Sequence, residues 1–272
     1  MMNELLSLLA IAMTAVTAPP ADWNSTIASS SPLNWYRLDE ISGLTAFDYG
    51  SEGRDGAYGT GVHAPVRGAT GLVGGAVEFD GNQDNTLFNA PALTGDWTAE
   101  FLIKKTGTKF SAELLRGAPL EFPSTHLKLE QYPNTGEVGY TESFVVDRVF
   151  SPPVVASVGE FIALAYVKKA SGMEAYINGV LKGTNSSTIS LSRYQFGDTA
   201  SESPFAIVDE IVVYDRALSV DELALHFHSI PEPTSLAVAV GFAVVFCLAS
   251  ARSGSLKTWQ GDQECSQFIL VA

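Results

Sequence analysis

The stretch AIVDEIVVY, residues 206–214, restricts the fold more than any other part of the chain. Read with a period of two, Ile207, Ile211 and Val213 face one side, and Val208, Val212 and Tyr214 the other. A strand that is apolar on both faces lies in a sheet covered on both sides. Asp209 and Glu210 interrupt it, one on each face by the same alternation. Buried carboxylates of this kind require a cation, an arginine or backbone N–H partners. After residues 215–218 the pattern changes. Ser219 and Glu222 form the reciprocal pair that opens a helix, predicted at 219–228, with Val220, Leu223, Ala224 and Phe227 on one side.

Upstream, short apolar runs alternate with Gly- and Asp-rich turns. Strands are predicted near residues 34–38, 74–80, 97–104, 114–117, 126–130, 136–146, 161–167, 173–177 and 190–196. Asn178-Gly179, set between apolar runs, is the sequence of a type I′ hairpin turn. A chain of 272 residues has room for one β-sandwich of about 200 residues with tails. Its formal charge of −14, from 30 acidic and 16 basic residues, argues against a nucleic-acid partner. The two cysteines, Cys247 and Cys265, lie beyond the predicted sandwich, which therefore stands on its core without a disulfide.

The ends read differently. Residues 1–22 form a signal-peptide-like segment with an apolar run at 5–16, although Glu4 precedes it where a basic residue is usual. Residues 23–33 are Ser-rich and read as a linker to a domain at 34–229.

Several motifs inside 34–229 resemble one family. They are the opening WYRLDE at residues 35–40, EFDG at 78–81, WTAEFLIK at 97–104, the Tyr176-Ile177-Asn178-Gly179 turn, and the closing VDEIVVYDRALS at 208–219. Together they resemble laminin-G-like (LamG) domains of the concanavalin A-like jelly-roll class. Phe161 stands where that family usually carries Trp, and the two histidines that follow it there are missing. The resemblance implies an all-β jelly-roll sandwich with a short C-terminal helix, and first and last strands that pair. It also implies a calcium ion, for which Asp39, Asp48, Asp80, Asp209 and Glu210 are the candidate ligands at family landmark positions.

The tail resembles a second signal. Pro231-Glu232-Pro233, an apolar run and Arg252 are similar to a PEP-CTERM sorting segment, here 230–252, which a membrane-embedded exosortase recognises. That implies a hydrophobic C-terminal helix entering the membrane through residues 236–251 before processing. Residues 253–272 form an atypical tail beyond it.

Catalytic signatures are sparse. Retaining glycan hydrolases of this fold class carry Glu-x-Asp-x-Glu, which sets two carboxylates about 5–5.5 Å apart on one face. No such run occurs, Glu100 stands alone in its strand, and Gly-x-Ser-x-Gly is absent. Of the four histidines, His63, His126, His226 and His228, the last two are expected as solvated helix residues. The expectation is a protein that is not an enzyme, with no catalytic residue. It is an exported cell-surface or extracellular-matrix protein that binds a glycan or a protein. A divergent glycan-active enzyme and a purely structural matrix component are the alternatives.

Overall fold

The computed structural model describes residues 22–118, 124–133 and 136–231. The signal-like segment up to residue 21, the sorting residues Glu232, Pro233 and Arg252, the apolar run 236–251 and the tail lie outside them. Among the described residues no helix is long and apolar enough to cross a membrane.

The alternating runs form two antiparallel sheets packed face to face, the expected β-sandwich. The first sheet has the spatial order β14 (Val180–Asn185), β13 (Gly172–Ile177), β12 (Phe161–Lys169), β7 (Trp97–Lys105), β16 (Phe205–Tyr214), β5 (Gly75–Asp80) and β4 (Val66–Thr70). In addition, β1 (Asn34–Tyr36) lies against β16. The second sheet runs β11 (Val146–Val149), β10 (Gly139–Glu142), β9 (Thr125–Glu130), β8 (Ala112–Arg116), β15 (Leu191–Gly197), β6 (Asn85–Leu93), β3 (Gly56–Tyr58) and β2 (Thr45–Ala46). The region expected as one strand at 136–146 is thus a hairpin of β10 and β11, with its turn at Ser143 and Phe144.

The core lies between the sheets. Phe79, Phe101 and Tyr166 meet Leu114, Leu127, Leu129 and Phe196 there, each at most 1% exposed. Burial of each such side chain contributes roughly 1.5–3 kcal/mol. The first and last strands pair as expected, with Trp35 opposite Val212. Asn178 (φ 54°) and Gly179 (φ 72°) both take the left-handed conformation that the type I′ turn requires.

The closing strand departs from simple alternation. On β16, Val208 faces Ile103 but Glu210 faces Leu102, so Asp209 is an extra residue without a partner in that ladder. This β-bulge resets the period. Val208 joins Ala206, Ile211 and Val213 in the core, whereas Val212 and Tyr214 face outward. The expectation that Asp209 and Glu210 point to opposite faces is therefore corrected. Glu210 bonds Trp35 and Asp209 bonds the Val73 N–H, and both Trp35 and Val73 belong to the outer apolar layer.

Two helices cover that outer face. Residues expected as linker include a helix, α1 (Trp23–Ser29), capped by the Asp22 side chain. Trp23 and Ile27, four positions apart, share one helix face and are buried at 1% and 0% exposure. They pack with Leu102, Val167 and Tyr214, and this burial overrides the weak helix propensity of the serines. The second helix, α2 (Val220–His228), has the expected capping box of Ser219 and Glu222. Its buried residues are Leu223 and His226, while Val220 is exposed. His226 is not solvated. Its Nδ1 lies 2.8 Å from Glu100 Oε2 and its Nε2 2.8 Å from Ser30 Oγ, so it ties both helices to β7.

Candidate functional site

The five residues proposed from the resemblance as calcium ligands do not gather at one point. Asp48 accepts four hydrogen bonds, from the Trp35, Gly50 and Arg54 N–H groups and from Asn34 Nδ2, which fills its acceptor positions. Asp80 accepts two bonds from Asn82, at the far end of β5. Asp39 accepts from the Gly75 N–H and pairs with Arg37 at 2.9 Å. Asp209 and Glu210 feel each other's charge and that of Asp39. Among the described residues no group of three or more His, Cys, Asp or Glu side chains is placed to hold a metal ion. The residues present do not fit a single calcium site.

Asp209 and Glu210 form a different object, a buried pair of carboxylates. Asp209 Oδ2 accepts from the Leu72 and Val73 N–H groups at 2.5 and 2.8 Å, and Glu210 Oε2 from Trp35 Nε1 at 2.5 Å. Asp209 Oδ1 and Glu210 Oε1 have no partner. Burial pushes the Asp209 carboxyl up to about 6, against the pull of the two N–H groups. Burial, and then the charge of Asp209, push Glu210 well above the usual carboxylate range. A protonated carboxyl is the form that this enclosure favours.

The chemistry-bearing cleft lies on the other side of the molecule, on the outward face of the second sheet. On β8 and β9 the apolar residues Ala112, Leu114, Leu127 and Leu129 point into the core. Glu113, His126 and Lys128 alternate with them and point outward. They are nonetheless nearly enclosed, at 1%, 6% and 4% exposure. Two elements cover them. The loop before β16 is anchored by a hydrogen bond from the Glu113 N–H to the Glu202 carbonyl. The β10–β11 turn is anchored by one from the Ser143 N–H to the Ser124 carbonyl.

Glu113 is the hub. Its Oε1 accepts from His126 Nδ1 at 2.5 Å and from Lys128 Nζ at 2.9 Å. Arg116 Nη1 stands 3.1 Å from its Oε2 and also pairs with Asp198. Burial alone pushes this carboxyl up, but the His126 hydrogen bond and the charges of Lys128, His126 and Arg116 outweigh it and hold it well below its ordinary range. Glu113 is therefore ionised and acts only as an acceptor, so His126 Nδ1 carries the proton. In the neutral ring Nε2 is then an acceptor, and Ser143 Oγ, 2.7 Å away, donates to it. Lys128 completes the network with bonds to Ser111 Oγ at 2.9 Å and Glu202 Oε2 at 2.7 Å.

Two adjoining depressions of about 230 and 480 Å³ open over this network and share Glu113, His126, Ser143, Phe144 and Glu202. Phe144 is 95% exposed at the rim, and Tyr132 is half exposed beside the smaller depression. Among the described residues, the charged groups lining the cleft are Glu113, Asp147, Asp198 and Glu202 against Arg116 and Lys128.

No protein-family model and no curated protein matches the sequence. Solved structures share the fold at low identity. Domain 4 of AbnA, a GH43 extracellular arabinanase from Geobacillus stearothermophilus, in complex with arabinotriose, is 18% identical with a TM-score of 0.56. That match covers 74% of this chain and 98% of the domain. Trypanosoma rangeli sialidase is 14% identical with a TM-score of 0.53, and the match covers 74% of this chain. This chain spans only 33% of the length of that sialidase. The Botulinum neurotoxin serotype D ligand binding domain, in complex with N-acetylneuraminic acid, is 14% identical with a TM-score of 0.53. There the match covers 75% of this chain and 52% of the toxin domain.

These neighbours correct the expectation that the protein is not an enzyme. The solved structures that share its fold are mainly glycoside hydrolases or parts of them.

Nothing local in the sequence marks Glu113, Lys128, Ser143 and Glu202 individually, and His126 reads only as one of four histidines. The available signal was the run HLKLE at 126–130, where every second residue of an otherwise apolar strand is charged or imidazole.

Proposed function

We propose that this domain recognises glycans in the cleft on the outward face of the second sheet. The observation that carries the reading is the combination inside that cleft. A sugar ring offers hydroxyl groups that need partners and C–H faces that are apolar. The cleft supplies the exposed carboxylate of Glu202, held in place by Lys128, and the Ser143 hydroxyl, beside the exposed ring of Phe144. The carbohydrate complexes among the fold neighbours, and the laminin-G-like motifs, support the same ligand class. Its carboxylates outnumber its cations, which favours neutral over anionic sugars.

Titration of the full chain with arabino-oligosaccharides and, separately, with N-acetylneuraminic acid tests this. Saturable binding of the neutral sugars, weakened at least about tenfold in Phe144→Ala, is expected. Absence of binding to either class and to a broad glycan array, or binding that ignores the substitution, sinks the reading.

The terminal segments support a second element of the proposal. The chain is an exported precursor that an exosortase processes near Pro231, Glu232 and Pro233 and holds at the membrane through 236–251 until then. Peptide mass mapping of the envelope-associated protein from its native host decides that. Recovery of residues 258–272 in the mature form contradicts it.

A further inference from the structure

The geometry of the cleft does more than offer hydrogen bonds. We infer that Ser143, His126 and Glu113 form a nucleophile–base–orienter array that hydrolyses carboxylic esters, an activity beyond glycan recognition and independent of it. Three observations lead there. First, the chain of bonds has the required polarity. Ser143 Oγ donates to His126 Nε2 at 2.7 Å, and His126 Nδ1 donates to Glu113 Oε1 at 2.5 Å. Second, the serine sits on a constrained turn. Val145 N–H closes the turn onto the Glu142 carbonyl, and Phe144, the residue after the serine, has φ 62°, a left-handed conformation uncommon for a bulky residue. Third, the larger depression contains an unused donor. Ser124 Oγ is buried, lines that depression and has no hydrogen-bond partner. A change of its side-chain rotamer turns this free hydroxyl into the depression, toward the acyl oxygen as that atom gains negative charge.

The chemistry balances without any further component. Ser143 Oγ attacks the acyl carbon while its proton passes to His126 Nε2. The C–O bond to the alcohol breaks, and the alcohol leaves with that proton. A water molecule, deprotonated by the same nitrogen, then cleaves the acyl-serine, releases the carboxylic acid and restores the hydroxyl. Glu113 does not touch the substrate. It is a positioning residue that fixes the ring's tautomer and favours the imidazolium formed during each transfer. The other charged groups facing the ring are Arg116 from β8, Lys128 from β9, Asp147 from β11, and Asp198 and Glu202 from the loop before β16.

The molecule contains its own comparison. Ser30, His226 and Glu100 repeat the same order of atoms. There, however, the Thr26 carbonyl, 3.2 Å away, competes with His226 for the single proton of the Ser30 hydroxyl, the residue caps α1, and neither depression reaches it. That array fastens helices, whereas the Ser143 array opens onto a cleft.

Treating the full chain with a fluorophosphonate probe and mapping the adduct by mass spectrometry tests the inference. So does following p-nitrophenyl acetate hydrolysis against pH, with a substrate that carries no sugar and so leaves the glycan reading untouched. The adduct is expected on Ser143 and not on Ser30. Ser143→Ala should lose at least about 100-fold in hydrolysis rate. Glu113→Gln should lower kcat with KM little changed, because the amide can offer an N–H to Nδ1 and so misplace the ring's proton. An unlabelled Ser143, or hydrolysis at the parent rate in Ser143→Ala, overturns the inference. Should Ser143→Ala fail to fold, adduct mapping on the unsubstituted chain decides alone.

Discussion

Replacing Asp209 with Asn tests the buried carboxylate pair directly. Asp209 is fully enclosed, and its carboxyl is raised from 3.8 to about 6 by burial, against two backbone N–H bonds. Its folded state therefore binds a proton more tightly than the unfolded chain does. Stability is highest below about pH 4 with respect to this group, and falls as pH rises through the window from 3.8 to about 6. At roughly 1.4 kcal/mol per pH unit, the ionised carboxylate costs about 3 kcal/mol at pH 7. Asparagine keeps a carbonyl oxygen for the Leu72 and Val73 N–H groups and carries no charge. It also removes the repulsion that helps to raise Glu210. Asp209→Asn should accordingly be about 2–3 kcal/mol more stable than the parent at pH 7 and about equal to it at pH 4. Urea melts of the full chain at pH 4, 5, 6 and 7, in chelator, measure both. A variant less stable than the parent at pH 7 would refute the reasoning, because it would mean that the charge is needed. Destabilisation that appears only when calcium is added would point to a cation held by these oxygens.

Two further substitutions probe the outer layer. Gly179→Ala strains a residue at φ 72° and places a Cβ 2.8 Å from Ala224 Cα in α2, so a loss of about 1–3 kcal/mol is expected in the same melts. An unchanged midpoint would show that α2 does not press on the β13–β14 turn. Trp23→Ala empties a site buried among Ile27, Leu102 and Tyr214 and should cost about 3–5 kcal/mol, or less if α1 detaches alone. No measurable loss would mean that residues 23–29 behave as the linker their composition suggests.

What could be read in advance follows from how locally each feature is encoded. The Asn178-Gly179 turn and the Ser219/Glu222 capping box are written in adjacent residues, and both are present. The bulge at Asp209 is not, because its position depends on which residues of β7 stand opposite. Without it, alternation assigns Val208 and Ile207 to the wrong faces. The helix α1 did leave a trace in the Asp22 cap and the Trp23–Ile27 spacing, but the serines around them masked it. The cleft was least legible. Glu113, His126 and Ser143 come from two strands and a turn, and each bond between them joins residues at least 13 positions apart. Only the polar alternation of β9 announced that something covers that face.

The pairing of β1 with β16, and the packing of α1 beside α2, have a consequence for how the domain can be carried. Trp23 and His226 stack edge to face with centroids 6.3 Å apart, so the described chain enters and leaves on the same helix-covered side. The cleft occupies the opposite side. A host polypeptide can take up such a unit at a single surface loop without stretching either junction. The open mouth over Glu113 and His126 lies on the face of the sandwich opposite to both of these described ends.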